Sequence, residues 1–221
     1  MINNIIGKNN FFELTKKLIE KSHFFIKEKS DISSVSLRDI NRFGKMYKFF
    51  NEYLEKRKRY SNDKEIEIEK DSIILSLYFC YYLRIPTMNL RKEYINEIKK
   101  IEDIPFEQIS DRESEFITNI ILEGKKGYAK NKALKENLFC EFVCLINKEP
   151  LIICGKPGSS KSLSVQLIID AMEGNKYSHE FFKQYDKVIP SFYQCSITSN
   201  SESVQKLFDR ARNKLEKMNF Q

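Results

Sequence analysis

The hydrophobic positions of the first hundred residues recur at helical spacing. The spacing predicts a first helix whose apolar face carries Phe11, Leu14, Leu18 and Ile19. A second helix is predicted to begin at Ser36, because Ser36 and Asp39 occupy the N-cap and N3 positions of a capping box. Segment 72–83 is the most apolar part of the chain, but it is too short to span a membrane and predicts a buried helix. Between these two helices, the charge-rich segment 55–70 is predicted to be a connector.

The pattern changes near residues 105–112, where we place a domain boundary. A further helix is predicted over 88–101, since Pro105 would end it. Beyond the boundary, a helix over 131–147 precedes a short apolar strand at 151–154 and a helix that is expected to stop at Gly174. A second strand is predicted at 188–195 and a last helix at 204–218. The sequence thus predicts an α/β fold, with a helical subdomain of residues 1–105 followed by a parallel-sheet core of residues 106–221.

A glycine-rich loop between the predicted strand 151–154 and the next helix carries the clearest chemistry. A phosphate-binding P-loop needs small residues that turn backbone N–H groups toward the β-phosphate, then a lysine, then a hydroxyl that ligates Mg²⁺. Lys161 would neutralise the β/γ-phosphates, and Ser162 would hold Mg²⁺. The cofactors predicted are therefore ATP and Mg²⁺. The predicted binding residues are Gly155, Lys156, Pro157, Gly158, Ser159, Ser160, Lys161, Ser162 and Leu163.

Ser160 departs from the general P-loop pattern, which has glycine at this position. We expect an ordinary negative φ at Ser160, because the chain there is already turning into the helix. The alternative is a surface turn rich in glycine, proline and serine that ends in Lys-Ser by chance. A strand before the loop and a helix after it favour the P-loop.

A hydrolytic P-loop enzyme also needs an acidic residue at the end of a second core strand, to hold Mg²⁺ and orient water. The acid that follows an apolar run after the loop is Asp170, which belongs to the predicted P-loop helix. We therefore expect the chain to be a fragment that ends before its hydrolytic half, and no catalytic residue is assigned.

Charge and cysteine content change this picture little. The 221 residues carry a net charge of +7, but lysine and glutamate alternate along most of the chain, as on solvated helix faces. The basic run 56–59 lacks any groove-reading motif or aromatic stacking pattern, so no nucleic-acid partner is predicted. The five cysteines lack paired zinc-ligand spacing, and residues 1–6 lack the features of a signal peptide. A cytoplasmic location with reduced thiols is predicted.

Several segments together resemble the mysterin family of giant AAA+ ATPases and RING-type E3 ubiquitin ligases. They are residues 131–139, the loop GKPGSSKSL, residues 170–174 and residues 192–196. The family shares serine at the Ser160 position. Residues 35–40 resemble the lid-helix motif of the AAA module that precedes this one in the family. By that resemblance Arg38 would take the sensor-2 position and approach a nucleotide phosphate in the neighbouring module.

The resemblance implies the lid of one AAA module in residues 1–105 and the P-loop half of the next in residues 106–221. The implied partners are the remaining AAA modules of the same chain and, through regions outside this sequence, the ubiquitin machinery. Three alternatives stay open: a nucleotide-binding structural module that never hydrolyses ATP, a midasin- or dynein-like remodelling motor, and an Arg38 that is a plain surface residue of its helix.

Overall fold

Helices make up most of the residues that the structure describes. A computed structural model describes residues 11–29, 35–173 and 179–219, with side chains to residue 216. Within these ranges the α-helices are α1 Phe12–Lys29, α2 Leu37–Ser61, α3 Ile68–Cys80, α4 Met88–Lys99, α5 Phe106–Ile121, α6 Lys132–Ile146, α7 Lys161–Met172 and α8 Ser201–Asn219. Short 3₁₀ turns cover Tyr82–Arg84 and Glu180–Gln184.

Helix α2 begins at the predicted capping box. The Ser36 N–H donates to Asp39 Oδ2 at 2.7 Å, and the Ser36 side chain caps the first turn. Asp39 also accepts from Arg84 Nη1 at 2.8 Å, which ties this helix start to the turn that follows α3. The helix then continues to Ser61 and ends at Asn62 in the left-handed region, with φ 51°.

The predicted connector 55–70 is therefore wrong. Residues 55–61 belong to α2, and α3 starts at Ile68. The reason lies in the basic run 56–59, which makes contacts inside the protein. The Arg57 guanidinium lies 3.6 Å from the centroid of Phe116, and Lys58 Nζ donates to the carbonyl oxygen of Ile66 at 2.7 Å. These contacts bury the stems of charged side chains and allow the helix to continue.

One hydrophobic core runs through helices α1 to α7. Helix α2 packs along α3, α5 lies against α6, and α6 lies against α7. Phe50 of α2 stacks on Phe139 of α6, with centroids 6.1 Å apart, and Tyr53 meets Phe181 of the second 3₁₀ turn edge-on at 6.2 Å. Aromatic pairs thus join the N-terminal helices to the segments on both sides of the glycine-rich loop.

Helix α5 occupies the segment where we placed the domain boundary. Its apolar residues recur at helical spacing and are buried: Phe106, Ile109, Ile117, Ile120 and Ile121. The apolar pattern does not predict this helix, because buried polar residues, above all Glu113, interrupt it. The division into residues 1–105 and 106–221 stays a prediction.

The predicted parallel sheet is contradicted. The structure contains no strand within its described residues, and residues 151–154 and 189–195 are irregular. The sole β pairing there is an isolated parallel bridge between Glu173 and Val188. A central parallel strand is covered on both faces and paired with neighbours, yet Ile152 is 87% exposed and Phe192 is 68% exposed. The apolar composition of these segments was read correctly, but composition alone does not supply the partner strands.

The other predicted helices are confirmed with small shifts at their ends. Helix 72–83 begins four residues earlier, at Ile68, and ends at Cys80. Helices 88–101, 131–147 and 204–218 correspond to α4, α6 and α8. The predicted stop at Gly174 lies outside the described residues. Among the helices of the described part of the chain, none combines the length and hydrophobicity of a membrane-spanning segment.

Candidate functional site

The glycine-rich loop folds around the side chain of Lys161. Lys161 Nζ donates to the carbonyl oxygens of Gly155 and Lys156, both at 2.8 Å, and lies 3.1 Å from Ser159 Oγ. Ser159 Oγ in turn donates to the Lys156 carbonyl at 2.8 Å. The ammonium therefore lies inside the turn formed by residues 155–159, at the start of α7.

Two glycines of the loop suit its geometry. Gly158 has φ +78°, a conformation that glycine adopts without steric cost. At Gly155 a β-carbon would lie 2.8 Å from Ser159 Oγ, so any side chain there would displace the hydroxyl that bonds the loop. The loop conformation thus explains the glycines at positions 155 and 158.

Ser160 has φ +60° and ψ +15°, which is the left-handed region. The negative φ expected from the sequence is therefore wrong. The chain reverses sharply between Gly158 and the first turn of α7, and the general P-loop pattern has glycine at this position because glycine tolerates such a φ. Serine occupies it at a steric cost of about 1–2 kcal/mol.

The N-terminal end of α7 faces the same loop. Ser160 is the N-cap, and its side chain makes no capping hydrogen bond. Ser162 and Leu163 lie in the first helical turn with exposed side chains, and Lys161 and Ser160 are half-buried. The exposed N–H groups and the positive end of the helix dipole favour an anion at this position. The predicted residues 155–163 are thus brought together in one loop and one helical turn.

Two polar side chains of α6 contact the loop and the start of α7. Neither is among the site residues predicted from the sequence. Asn137 Nδ2 donates to the Ser159 carbonyl at 3.0 Å. One helical turn later, Glu141 Oε1 accepts from Ser164 Oγ at 2.7 Å. Glu141 is buried, and burial raises its pKa to about 7, although the hydrogen bond from Ser164 opposes the rise.

Comparisons with known proteins bear on the same region. Residues 127–221, which include α6, the loop and α7, match the family profile described as the RNF213 AAA domain. Over 218 residues, or 92% of the chain, the sequence is 29% identical to the human E3 ubiquitin-protein ligase RNF213. The mouse protein of the same name is 30% identical over 202 residues, or 84% of the chain.

The chain belongs to the mysterin (RNF213) family. The resemblance inferred from residues 131–139 and the loop is thereby confirmed. A zebrafish relative, E3 ubiquitin-protein ligase rnf213-beta, is 29% identical over 199 residues. The chain spans about 4% of the length of each of these mysterin relatives.

Two other residues weighed from the sequence lie apart from the loop interactions. Arg38 is exposed in the first turn of α2, where its backbone N–H donates to Ser36 Oγ at 3.3 Å. Its assignment to the sensor-2 position stays a prediction. Asp170 lies in α7 as expected and accepts from Gln166 Nε2 at 2.7 Å, one helical turn away.

Asn137 lies within the segment 131–139 that carried the resemblance, but its sequence position alone assigned it no role. Glu141 and Ser164 gave a detectable signal, since each is a polar residue on the apolar face of its helix. Such residues need hydrogen-bond partners when buried. That need could have indicated an α6–α7 contact.

Proposed function

We propose that residues 155–163 bind the phosphates of Mg²⁺-ATP, as the nucleotide-binding loop of an AAA+ module in a mysterin-type E3 ubiquitin ligase. The position of the Lys161 ammonium carries this proposal: it lies inside the loop and beside an uncapped helix N-terminus. A phosphate at the first turn of α7 would meet a cation and backbone N–H groups together.

The residues of the loop would have different roles in binding. Gly155 and Gly158 allow the backbone to pass close to a phosphate chain, and Lys161 would exchange its carbonyl partners for phosphate oxygens. The Ser162 hydroxyl is exposed at the helix start and is the candidate ligand for Mg²⁺. A bound Mg²⁺ would neutralise part of the phosphate charge.

The proposal for this chain is limited to binding. ATP hydrolysis and ubiquitin transfer are proposed for the longer protein, with the other AAA modules and the ubiquitin machinery as its partners. Asp170 does not supply the missing metal-binding acid, because it lies three turns into α7 and bonds Gln166. This observation keeps a second candidate open, namely a module that binds nucleotide without hydrolysing it.

A direct binding measurement tests the proposal. A fluorescent ATP analogue is titrated into the purified chain with Mg²⁺ and again with a chelator. We expect saturable binding that unlabelled ATP displaces and that weakens when Mg²⁺ is removed. If no saturable binding occurs at millimolar nucleotide, the proposed function is wrong.

A further inference from the structure

Asn137 and Glu141 lie one turn apart on α6 and contact opposite ends of the loop–helix junction. Asn137 contacts the last part of the loop at Ser159, and Glu141 contacts the first turns of α7 at Ser164. Residues four apart on a helix share one face, so this face of α6 presents two polar groups to the junction. Neither residue belongs to the predicted phosphate-binding segment 155–163.

The Asn137 contact fixes the residue on which the loop interactions converge. Ser159 offers its carbonyl to Asn137, while its hydroxyl lies between the Lys156 carbonyl and Lys161 Nζ. The Ser159 N–H also donates to the Lys156 carbonyl, at 3.3 Å. Holding the Ser159 carbonyl therefore fixes both the turn and the position of the lysine ammonium.

The Glu141 contact fixes the beginning of α7. The Ser164 hydroxyl donates to Glu141 Oε1. The Ser164 N–H donates to the Ser160 carbonyl at 2.9 Å, which is the first helical hydrogen bond from the N-cap. Glu141 Oε2 is buried and has no hydrogen-bond partner within the described part of the chain. A buried carboxyl group with one unsatisfied oxygen costs stability, so packing alone does not account for a glutamate at this position.

Helix α6 is itself held in place, as a supporting element must be. Asn131 Oδ1 caps its first turn by accepting from the Leu134 N–H at 2.8 Å. Leu134, Leu138 and Phe139 are fully buried. On the same turn as Asn137, Glu136 pairs with Arg91 of α4. The two side chains that reach the loop thus project from a rigid helix.

We infer that Asn137 and Glu141 are positioning residues that hold the phosphate-binding loop and the start of α7 in the geometry that binds nucleotide. This inference rests on the proposed function. It assigns a physical role to the segment 131–139, which precedes the loop by some twenty residues. The affinity for nucleotide then depends on groups that never touch it.

The first test replaces Asn137 by leucine, which has a similar size and cannot donate a hydrogen bond. Asn147→Ala is the matched control, since Asn147 ends the same helix and its Nδ2 donates locally to the Val143 carbonyl at 2.8 Å. Loss of one neutral hydrogen bond predicts a three- to tenfold weaker affinity for the fluorescent ATP analogue in Asn137→Leu. The control should stay within twofold of the wild type, and equal affinities for all three proteins would overturn the inference.

Hydrogen exchange in the nucleotide-free protein separates positioning from binding. The Ser159 amide donates to the Lys156 carbonyl, and it should exchange at least threefold faster in Asn137→Leu than in the wild type or Asn147→Ala. Unchanged exchange would contradict the inference even if the wild type binds nucleotide. If the wild type binds none, the proposed function fails while the exchange result still tests the support of the loop.

A second pair of variants tests Glu141 and guards against misfolding. Glutamine at position 141 retains an oxygen that can accept from Ser164, whereas leucine does not. We expect nucleotide affinity within twofold of the wild type for Glu141→Gln and at least threefold weaker for Glu141→Leu, with folding verified by cooperative thermal unfolding. Equal affinities for these two folded variants would remove Glu141 from the proposal.

Discussion

The Nη1 atom of Arg91 lies 2.9 Å from both carboxylate oxygens of Glu136. Both side chains are largely buried, and Arg91 Nε also donates to the Ile85 carbonyl at 2.8 Å. The pair joins α4 to α6, directly before the Asn137 side chain that holds the loop. The N-terminal helices thereby contribute to the placement of the loop even though they contain none of residues 155–163.

Replacing Glu136 with glutamine should destabilise the protein by about 2–4 kcal/mol, because the Arg91 charge would be left partly buried without its counter-ion. Urea unfolding monitored by circular dichroism measures the change. The control is Glu55→Gln, whose exposed pair with Arg59 should contribute no more than about 0.5 kcal/mol. Similar losses for the two variants would show that the Arg91–Glu136 pair has no special role.

Glu113 should be among the most sensitive polar positions of the helical core. It is fully buried, accepts from Tyr53 at 2.9 Å and from Arg112 Nε at 2.7 Å, and lies 3.6 Å from Arg57 Nε. Glu113→Ala should lower the free energy of unfolding by about 3–5 kcal/mol, since it removes the buried carboxylate that accepts from Tyr53 and Arg112 and lies beside Arg57. Glu115→Ala, on the exposed side of the same helix, should change it by less than about 1 kcal/mol. Chemical denaturation of the two variants decides the point.

Substitutions at Ser160 should change the stability of the protein according to how well the new residue tolerates the left-handed backbone conformation. Ser160→Gly relieves the steric cost of the positive φ, so it should leave stability unchanged or raise it by up to about 1 kcal/mol. Ser160→Val should lower stability by about 1–2 kcal/mol, because β-branched residues tolerate this region poorly. Thermal unfolding of both variants supplies the comparison. A valine variant as stable as the glycine variant would contradict the described loop conformation.

The raised pKa of Glu141 predicts a pH dependence of stability. Between its ordinary pKa of 4.5 and about 7, the folded protein keeps a proton that the unfolded chain has lost. The Glu141 contribution to the free energy of unfolding should therefore fall by about 3 kcal/mol as the pH rises through this window, and then level off. Glu141→Gln removes this contribution. In urea unfolding from about pH 4.5 to 8, the free energy of unfolding of the variant minus that of the wild type should therefore rise with pH. A constant difference would contradict the raised pKa.

The sequence predicted the local features of this structure better than its pairings. The capping box at Ser36 and Asp39 depends on residues three apart, and it is present as expected. The predicted strand at 151–154 is wrong. A strand depends on hydrogen bonds to neighbouring strands, and the apolar side chains of one segment do not identify those neighbours. The continuation of α2 through Arg57 was missed because its burial depends on Phe116, which lies far along the chain.

The candidate site shows the same division between local and distant information. Residues 155–163 were identified because loop, lysine and hydroxyl are contiguous in the sequence. Of the two flanking elements that favoured a P-loop, the helix is confirmed and the strand at 151–154 is wrong. The positive φ of Ser160 was not foreseen, because the sharpness of the turn into α7 follows from how the loop closes on Lys161. Asn137 was noted only within a resemblance. Its role required the distance to the Ser159 carbonyl.

Lys161→Ala tests the central claim most directly. The comparison is an equilibrium titration of the fluorescent ATP analogue, with Mg²⁺, into the wild type, Lys161→Ala and the control Lys126→Ala. The control removes the same charge from an exposed lysine between α5 and α6. A charge-assisted hydrogen bond is worth about 1.5–3 kcal/mol, so Lys161→Ala should bind about ten- to a hundredfold more weakly, while Lys126→Ala stays within threefold of the wild type. Equal affinities for the wild type and Lys161→Ala would contradict nucleotide binding at this loop.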